Sequence, residues 1–187
     1  MQYLDDIQKV VVFGGGSFGT AMATLLARKL PDRDVVLLLR DTALVADINT
    51  IHRNTRYLPD HDLPHNLRAT TDAEDAISGA DLAVHAVPVQ HSRRFLASIS
   101  SLLPPHVPMV CLSKGLEVPS ASTMAEMIPS ALGRIQPAVF LSGPSFAKEV
   151  SHTPSPTPRH PHPITHTPSP TPRRPPPNPN PNPNLCR

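Results

Sequence analysis

Residues 9–30 read KVVVFGGGSFGTAMATLLARKL, and this stretch decides the fold. Three valines and a phenylalanine follow Lys9 without a polar break, the pattern of a strand covered on both faces. Gly14, Gly15 and Gly16 end the run, and from Ser17 apolar residues recur at helical spacing until Pro31. Strand, glycine turn and helix follow one another. In that context Gly14, Gly16 and Gly19 form G-x-G-x-x-G. Gly14 permits a tight turn, Gly16 lets backbone approach a pyrophosphate, and Gly19 lets the helix lie close to the strand, with phosphates facing the helix N-terminus.

Outward from this unit the same alternation continues. Residues 34–39 (DVVLLL) read as a second strand and 42–51 as a helix, with 54–66 left as a loop. A short strand at 67–70 precedes a helix at 72–78 that starts on an Asp cap. Strands then follow at 81–87, 107–112 and 138–141, separated by helices at 91–103 and 120–132, and residues 146–150 begin a last helix. Pro108 weakens the strand at 107–112. Short connections between alternating strands and helices imply parallel pairing through right-handed crossovers, hence an α/β, Rossmann-like doubly wound sheet of about six strands. A ligand then belongs at the carboxyl ends of the strands.

Two basic residues stand at such ends. A dinucleotide-binding unit usually carries Asp or Glu after its second strand to hold the ribose hydroxyls, whereas this chain has Arg40. A guanidinium there can face the adenine or accept a 2′-phosphate, so NADP is as admissible as NAD, while Asp41 stands within reach of a ribose. The plain alternative is a solvated strand-end charge. Lys114, in LSKGLE, follows the strand at 107–112 and presents a point charge to an anionic ligand, unless it is one more solvent-facing lysine. In SGPSFAKEV, residues 143–145 open a helix whose N-terminus favours an anion.

Composition divides the chain in two. Of 25 prolines, 14 fall among residues 151–187, where there is no glycine, acidic residue, lysine, Phe, Tyr or Trp. Residues 1–150 carry 13 basic and 15 acidic side chains, a net of −2, and the rest carry +4. About 150 residues suffice for one core; a segment with proline at more than a third of its positions cannot build another. Residues 151–187 are therefore expected to be a disordered, Pro-rich, low-complexity tail. It repeats HTPSPTPR and contains Arg173, Pro176 and Pro179 in R-x-x-P-x-x-P, a pattern an aromatic groove can bind but one that such composition produces by chance. The positive excess lies in the tail, which argues against nucleic-acid binding by the body. No apolar run reaches membrane-spanning length and no basic stretch precedes an apolar one at the start, so the expected protein is soluble and untargeted. Two cysteines, Cys111 and Cys186, form no disulfide framework and fit a reducing compartment. His52, His61, His65, His91 and His106 read as surface or edge histidines, His85 lies inside a strand, and no metal site is expected.

GGGSFG, INTIHRNTRYLPDHDLPHNLRATTD, HAVPVQ, LSKGLE and GPSFAKEV, in this order and spacing, resemble the N-terminal domain of NAD(P)-dependent glycerol-3-phosphate dehydrogenases of the bacterial and plastid type. The resemblance covers about residues 7–150 and makes 1–150 an NAD(P)-binding domain. It implies that Gly14, Gly16, Ser17, Phe18, Gly19, Arg40, Lys114 and Ala147 meet NAD or NADP, and that Lys114, Gly143 and Ser145 meet glycerol 3-phosphate, a glycerophospholipid precursor interconverted with dihydroxyacetone phosphate. Phe18 stands where the family often has Trp or Tyr. The family continues into a helical domain that supplies a general-base lysine, yet no lysine follows Lys148. No catalytic residue is therefore assigned, and nucleotide binding without turnover remains the alternative. The switch after Val150 reads as a reading-frame or splice change. The implied partner is a small molecule, with no nucleic acid and no membrane; a homo-oligomer stays open, and the compartment is cytoplasm, or plastid as the alternative. Without a second domain, apolar surface beside the final strand should be exposed and the fold should be marginal.

Overall fold

A computed structural model describes residues 6–118, 120–143 and 146–151. The chain divides into Met1–Thr153 and Pro154–Arg187; the second unit, and with it the expectation of a disordered tail, lies outside the described residues.

The first unit runs β1 (Lys9–Phe13), α1 (Ser17–Lys29), β2 (Asp34–Leu38), α2 (Thr42–Ile51), β3 (Arg53–Asn54), β4 (Leu58–Asp62), β5 (Leu67–Thr70), α3 (Ala73–Ile77), β6 (Leu82–His85), α4 (Val89–Ser98), β7 (Met109–Cys111), α5 (Met124–Leu132), β8 (Ala138–Phe140) and α6 (Ala147–Ser151). Six strands form one parallel sheet in the order β5-β2-β1-β6-β7-β8. This is the doubly wound Rossmann-like arrangement, in which the order reverses between β1 and β6 and leaves a crevice at the strands' carboxyl ends. Leu38, Phe13, His85, Cys111 and Phe140 lie level across that end.

Alternation along each strand divides the core. Val10 and Val12, with Val35 and Leu37, pack with Ala23 and Ala27 of α1 and with Leu44 and Ile48 of α2. Val11 and Phe13 face the other way, to Ile77, Leu96, Met127 and Ile128 of α3, α4 and α5. A two-residue side-chain period makes any one-residue slip of β1 exchange these two sets.

Several elements differ from the sequence reading, each for a local reason. The expected loop at 54–66 contains an antiparallel ribbon, β3 with β4, whose second strand (LPDHD) is polar after Leu58 and Pro59 and lacks strand periodicity. Pro108 precedes β7, and its carbonyl accepts from Ala83 N at 2.9 Å, so its missing donor costs the ladder nothing. Helix α5 starts at Met124 because Thr123 and Glu126 form a reciprocal capping box there. Helix α4 ends at Ser98, after which Leu102 N and Leu103 N both turn back onto the Ile99 carbonyl. Ser151, assigned by composition to the tail, is the last residue of α6 and is buried.

Candidate functional site

The glycine turn closes because Gly14, Gly15 and Gly19 have no room for a side chain; a Cβ on Gly15 would lie 2.9 Å from the Leu39 Cβ. Gly14 sits at φ +106°, and a Cβ there would lie 2.9 Å from the Ala86 carbonyl oxygen. A Cβ on Gly19 would lie 1.9 Å from the Gly14 carbonyl oxygen, so α1 starts flush against the turn. At Gly16 nothing stands within 4 Å of the Cβ position. The turn opens there, beside the reversal point of the sheet. Gly16 is the N-cap of α1; no side chain caps the helix and its first turn carries no acid. Unbonded amides and the helix dipole make that opening favourable for an anion.

At the end of β2, Arg40 is exposed and makes no hydrogen bond or ion pair with any described residue. Asp41, left within reach of a ribose by the sequence, also caps the next helix. One carboxylate oxygen accepts from the amides of Ala43 at 3.0 Å and Leu44 at 3.2 Å, capping α2. The other faces Arg56 Nη1 at 3.3 Å. The Arg56 guanidinium also lies 5.4 Å from the centre of the Tyr57 ring, so the rim at this end is basic and aromatic.

Across the crevice, Lys114 Nζ donates to the Gly143 carbonyl and lies 5.8 Å from the centre of the Phe18 ring. Three residues from separate strings thus converge. Ser17 Oγ lies 3.5 Å from the Tyr57 carbonyl, and Ala147 opens α6, which packs on α1. Ser145 lies outside the described residues. The loop carrying Lys114 is clamped from α4: Gln90 donates to the Leu116 carbonyl at 2.9 Å and accepts from Val118 N at 3.0 Å. Arg93 meets both oxygens of Glu117 at 2.7 to 3.0 Å. That guanidinium, helped by the Ser120 hydroxyl, holds the Glu117 carboxyl down to about 2. HAVPVQ and LSKGLE are therefore two sides of one contact.

Sequence reasoning missed two further networks. His85 is fully buried, and its Nε2 lies 2.8 Å from Ser92 Oγ. Ser92 Oγ lies 3.2 Å from the carbonyls of Val87 and Pro88, and Ser113 Oγ bonds the Val87 carbonyl at 2.6 Å. Since those carbonyls only accept, Ser92 donates to them and His85 donates Nε2–H to Ser92. Burial pushes the imidazole down to about 4, so it is neutral and props the loop after β6. The seven-residue spacing of His85 and Ser92 was the available signal. His52 Nε2 and His65 Nδ1, read as scattered surface groups, meet at 3.0 Å. Among the described residues no three His, Cys, Asp or Glu side chains group as metal ligands, and no helix is long and apolar enough to cross a membrane.

A sequence profile described as "NAD-dependent glycerol-3-phosphate dehydrogenase N-terminus" matches residues 9–157. The chain is 53% identical over 148 residues to a chloroplastic glycerol-3-phosphate dehydrogenase [NAD(+)] of Oryza sativa, covering 79% of this chain and 34% of the relative. It is 46% identical over 143 residues to the glycerol-3-phosphate dehydrogenase [NAD(P)+] of Oleidesulfovibrio alaskensis, covering 76% and 43% of the two chains. The crystal structure of the glycerol-3-phosphate dehydrogenase of Coxiella burnetii superposes with a TM-score of 0.70 at 29% identity, over 78% of this chain and 43% of that one. The chain spans roughly a third to under half the length of these relatives. Glycine turn, six-stranded order and sequence match converge: the chain belongs to the NAD-dependent glycerol-3-phosphate dehydrogenase N-terminus family.

Proposed function

We propose that this chain is the nucleotide-binding part of a glycerol-3-phosphate dehydrogenase, holding NAD or NADP across the β1/β6 crevice. The observation that carries the reading is the opening above Gly16, with Phe18 and Lys114 facing each other beside it. The residues fit the cofactor in chemistry. Gly14, Gly16, Ser17 and Gly19 would receive the pyrophosphate at the start of α1, and Arg40 would meet the adenosine end, where its charge does not reject a 2′-phosphate. Phe18, Lys114 and Ala147 would line the nicotinamide half. Lys114, Gly143 and Ser145 would meet the phosphate-bearing substrate, with Lys114 supplying charge. The nicotinamide supplies hydride transfer between glycerol 3-phosphate and dihydroxyacetone phosphate. The working compartment would be cytoplasm or plastid.

Binding without turnover is the second reading, and a specific observation favours it. Oxidising a carbinol needs a proton acceptor at its hydroxyl, yet three groups near the strand ends are engaged: Asp41 caps α2, His85 is buried on Ser92, and Glu117 is held by Arg93. Titrating the chain with NADH by fluorescence tests the shared part, and saturable binding is expected. Following NADH consumption with dihydroxyacetone phosphate then separates the readings, because turnover near that of an intact family member removes the second.

A further inference from the structure

Asn54, a residue of the polar ribbon, is fully buried. Its Nδ2 donates to the Gly15 carbonyl at 3.1 Å and to Thr20 Oγ1 at 2.7 Å, and its Oδ1 accepts from Tyr57 N at 2.9 Å. The amide orientation is determined by this set, since Tyr57 N–H only donates and the Gly15 carbonyl only accepts. Both amide protons are used, one on the glycine turn and one on the helix that follows it.

The bond to Gly15 has a geometric result one atom further along. In a trans peptide the C=O and the next N–H point in opposite directions. With the Gly15 carbonyl drawn to Asn54, the Gly16 N–H points away from Asn54. Nothing lies within 4 Å of the Gly16 Cβ position, and no described residue supplies an acceptor to this N–H. A peptide flanked by glycine on both sides has little torsional preference of its own, so its direction must be imposed from outside. Gly14 is confined by Ala86 and Gly19, and Gly15 packs against Leu39; the Gly15 carbonyl is held by Asn54 at 3.1 Å and, at 3.4 Å, by the Thr20 hydroxyl, which Asn54 holds in turn.

We infer that Asn54 is a positioning residue that aims the Gly16 amide at the pyrophosphate of a bound dinucleotide, through its hydrogen bond to the Gly15 carbonyl. The inference rests on the nucleotide reading above. It also explains why a ribbon of polar residues belongs to the domain: its first strand ends on the side chain that orients the turn, and Oδ1 ties Tyr57 to the same point.

The test uses the 187-residue chain, with ADP-ribose as the pyrophosphate ligand and adenosine as the ligand without phosphate. Calorimetric titration compares the native chain with Asn54→Asp, which keeps the shape and loses both donors, and with Asn54→Ala. Loss of an amide bond to an ionised oxygen is worth about 1.5 to 3 kcal/mol, or roughly ten- to hundredfold in ADP-ribose affinity, and adenosine binding should change less than about twofold. ADP-ribose affinity kept within twofold in folded variants overturns the inference, as does an equal loss for adenosine. Should the variants not fold, the native chain decides: the Gly16 amide resonance must move downfield on adding ADP-ribose, and a stationary resonance in a saturated complex also overturns it. A native chain that binds no ADP-ribose overturns the nucleotide reading itself.

Discussion

β1 and β8 are both short apolar strands of one sheet, yet Val10, Val11, Val12 and Phe13 are fully buried, whereas Val139 is 62% and Phe140 49% exposed. In sequence, KVVVF and AVFL announce the same element. β1 has a strand on each side and helices on both faces; among the described residues β8 has β7 alone as a strand neighbour. Leu141, next in sequence, is 50% exposed, and Phe146 is 68% exposed. The expected apolar surface beside the final strand is therefore present. Burial is a property of neighbours, and a strand's own composition does not tell the middle of a sheet from its edge.

The comparison breaks most directly by truncating one aromatic ring in each strand. Phe13 packs on Phe95 with ring centroids 5.2 Å apart, so Phe13→Ala should cost about 3 to 5 kcal/mol. Phe140→Ala, at the exposed edge, should cost less than about 1 kcal/mol. Urea unfolding of both variants checks this, and similar losses would mean that β8 is covered in solution.

Next in size is a pH effect at the sheet's centre. His85 is neutral in the fold down to about pH 4, while in the unfolded chain it protonates near its ordinary value of about 6.5. Between these values the unfolded state binds more protons, so stability rises with pH and is lost as pH falls through that window. The loss should approach about 3 kcal/mol. His85→Gln should flatten the pH dependence from about 6.5 to 4, as followed by thermal melts across that range.

Smaller still is cofactor choice at the rim. Arg40 has no protein partner among the described residues, and Asp41 is tied to α2, so a 2′-phosphate would meet net positive charge screened by solvent. NADPH and NADH should bind within about tenfold, 1.4 kcal/mol, of each other, with Arg40→Asp weakening NADPH far more than NADH. Fluorescence titration of both nucleotides decides it, and an equal loss removes Arg40 from the 2′ site. The smallest effect belongs to β8: Val139→Lys should alter monomer stability by no more than about 0.5 kcal/mol yet reduce self-association in sedimentation, because charge on an edge strand blocks pairing.

The sequence made the sheet legible because strands buried on both faces are continuous apolar runs, and G-x-G-x-x-G between strand and helix located the crevice. Position after a strand singled out Lys114 and Gly143, and resemblance added Phe18; the fold brings the three within one contact group. Residues acting by hydrogen bonds across long sequence separations were not legible. Asn54 reaches Gly15 and Thr20 from 39 and 34 positions away, and nothing in a polar stretch announces a buried amide. Asp41 shows a related limit: an acid after a strand can serve as a ribose ligand or a helix cap, and the cap on Ala43 and Leu44 is seen only in the fold.

Cys111, level with His85 on β7, is 1% exposed, and burial raises its thiol. Alkylation requires the thiolate in contact with reagent, so in the native sheet this sulfur is chemically silent. Its labelling rate becomes a clock for excursions in which β7 leaves its neighbours. β7 lies between the central β6 and the bare edge at β8, so that clock reads how far fraying from the edge penetrates. Quantifying labelled peptides by mass spectrometry would time the opening of that side of the sheet without an introduced probe.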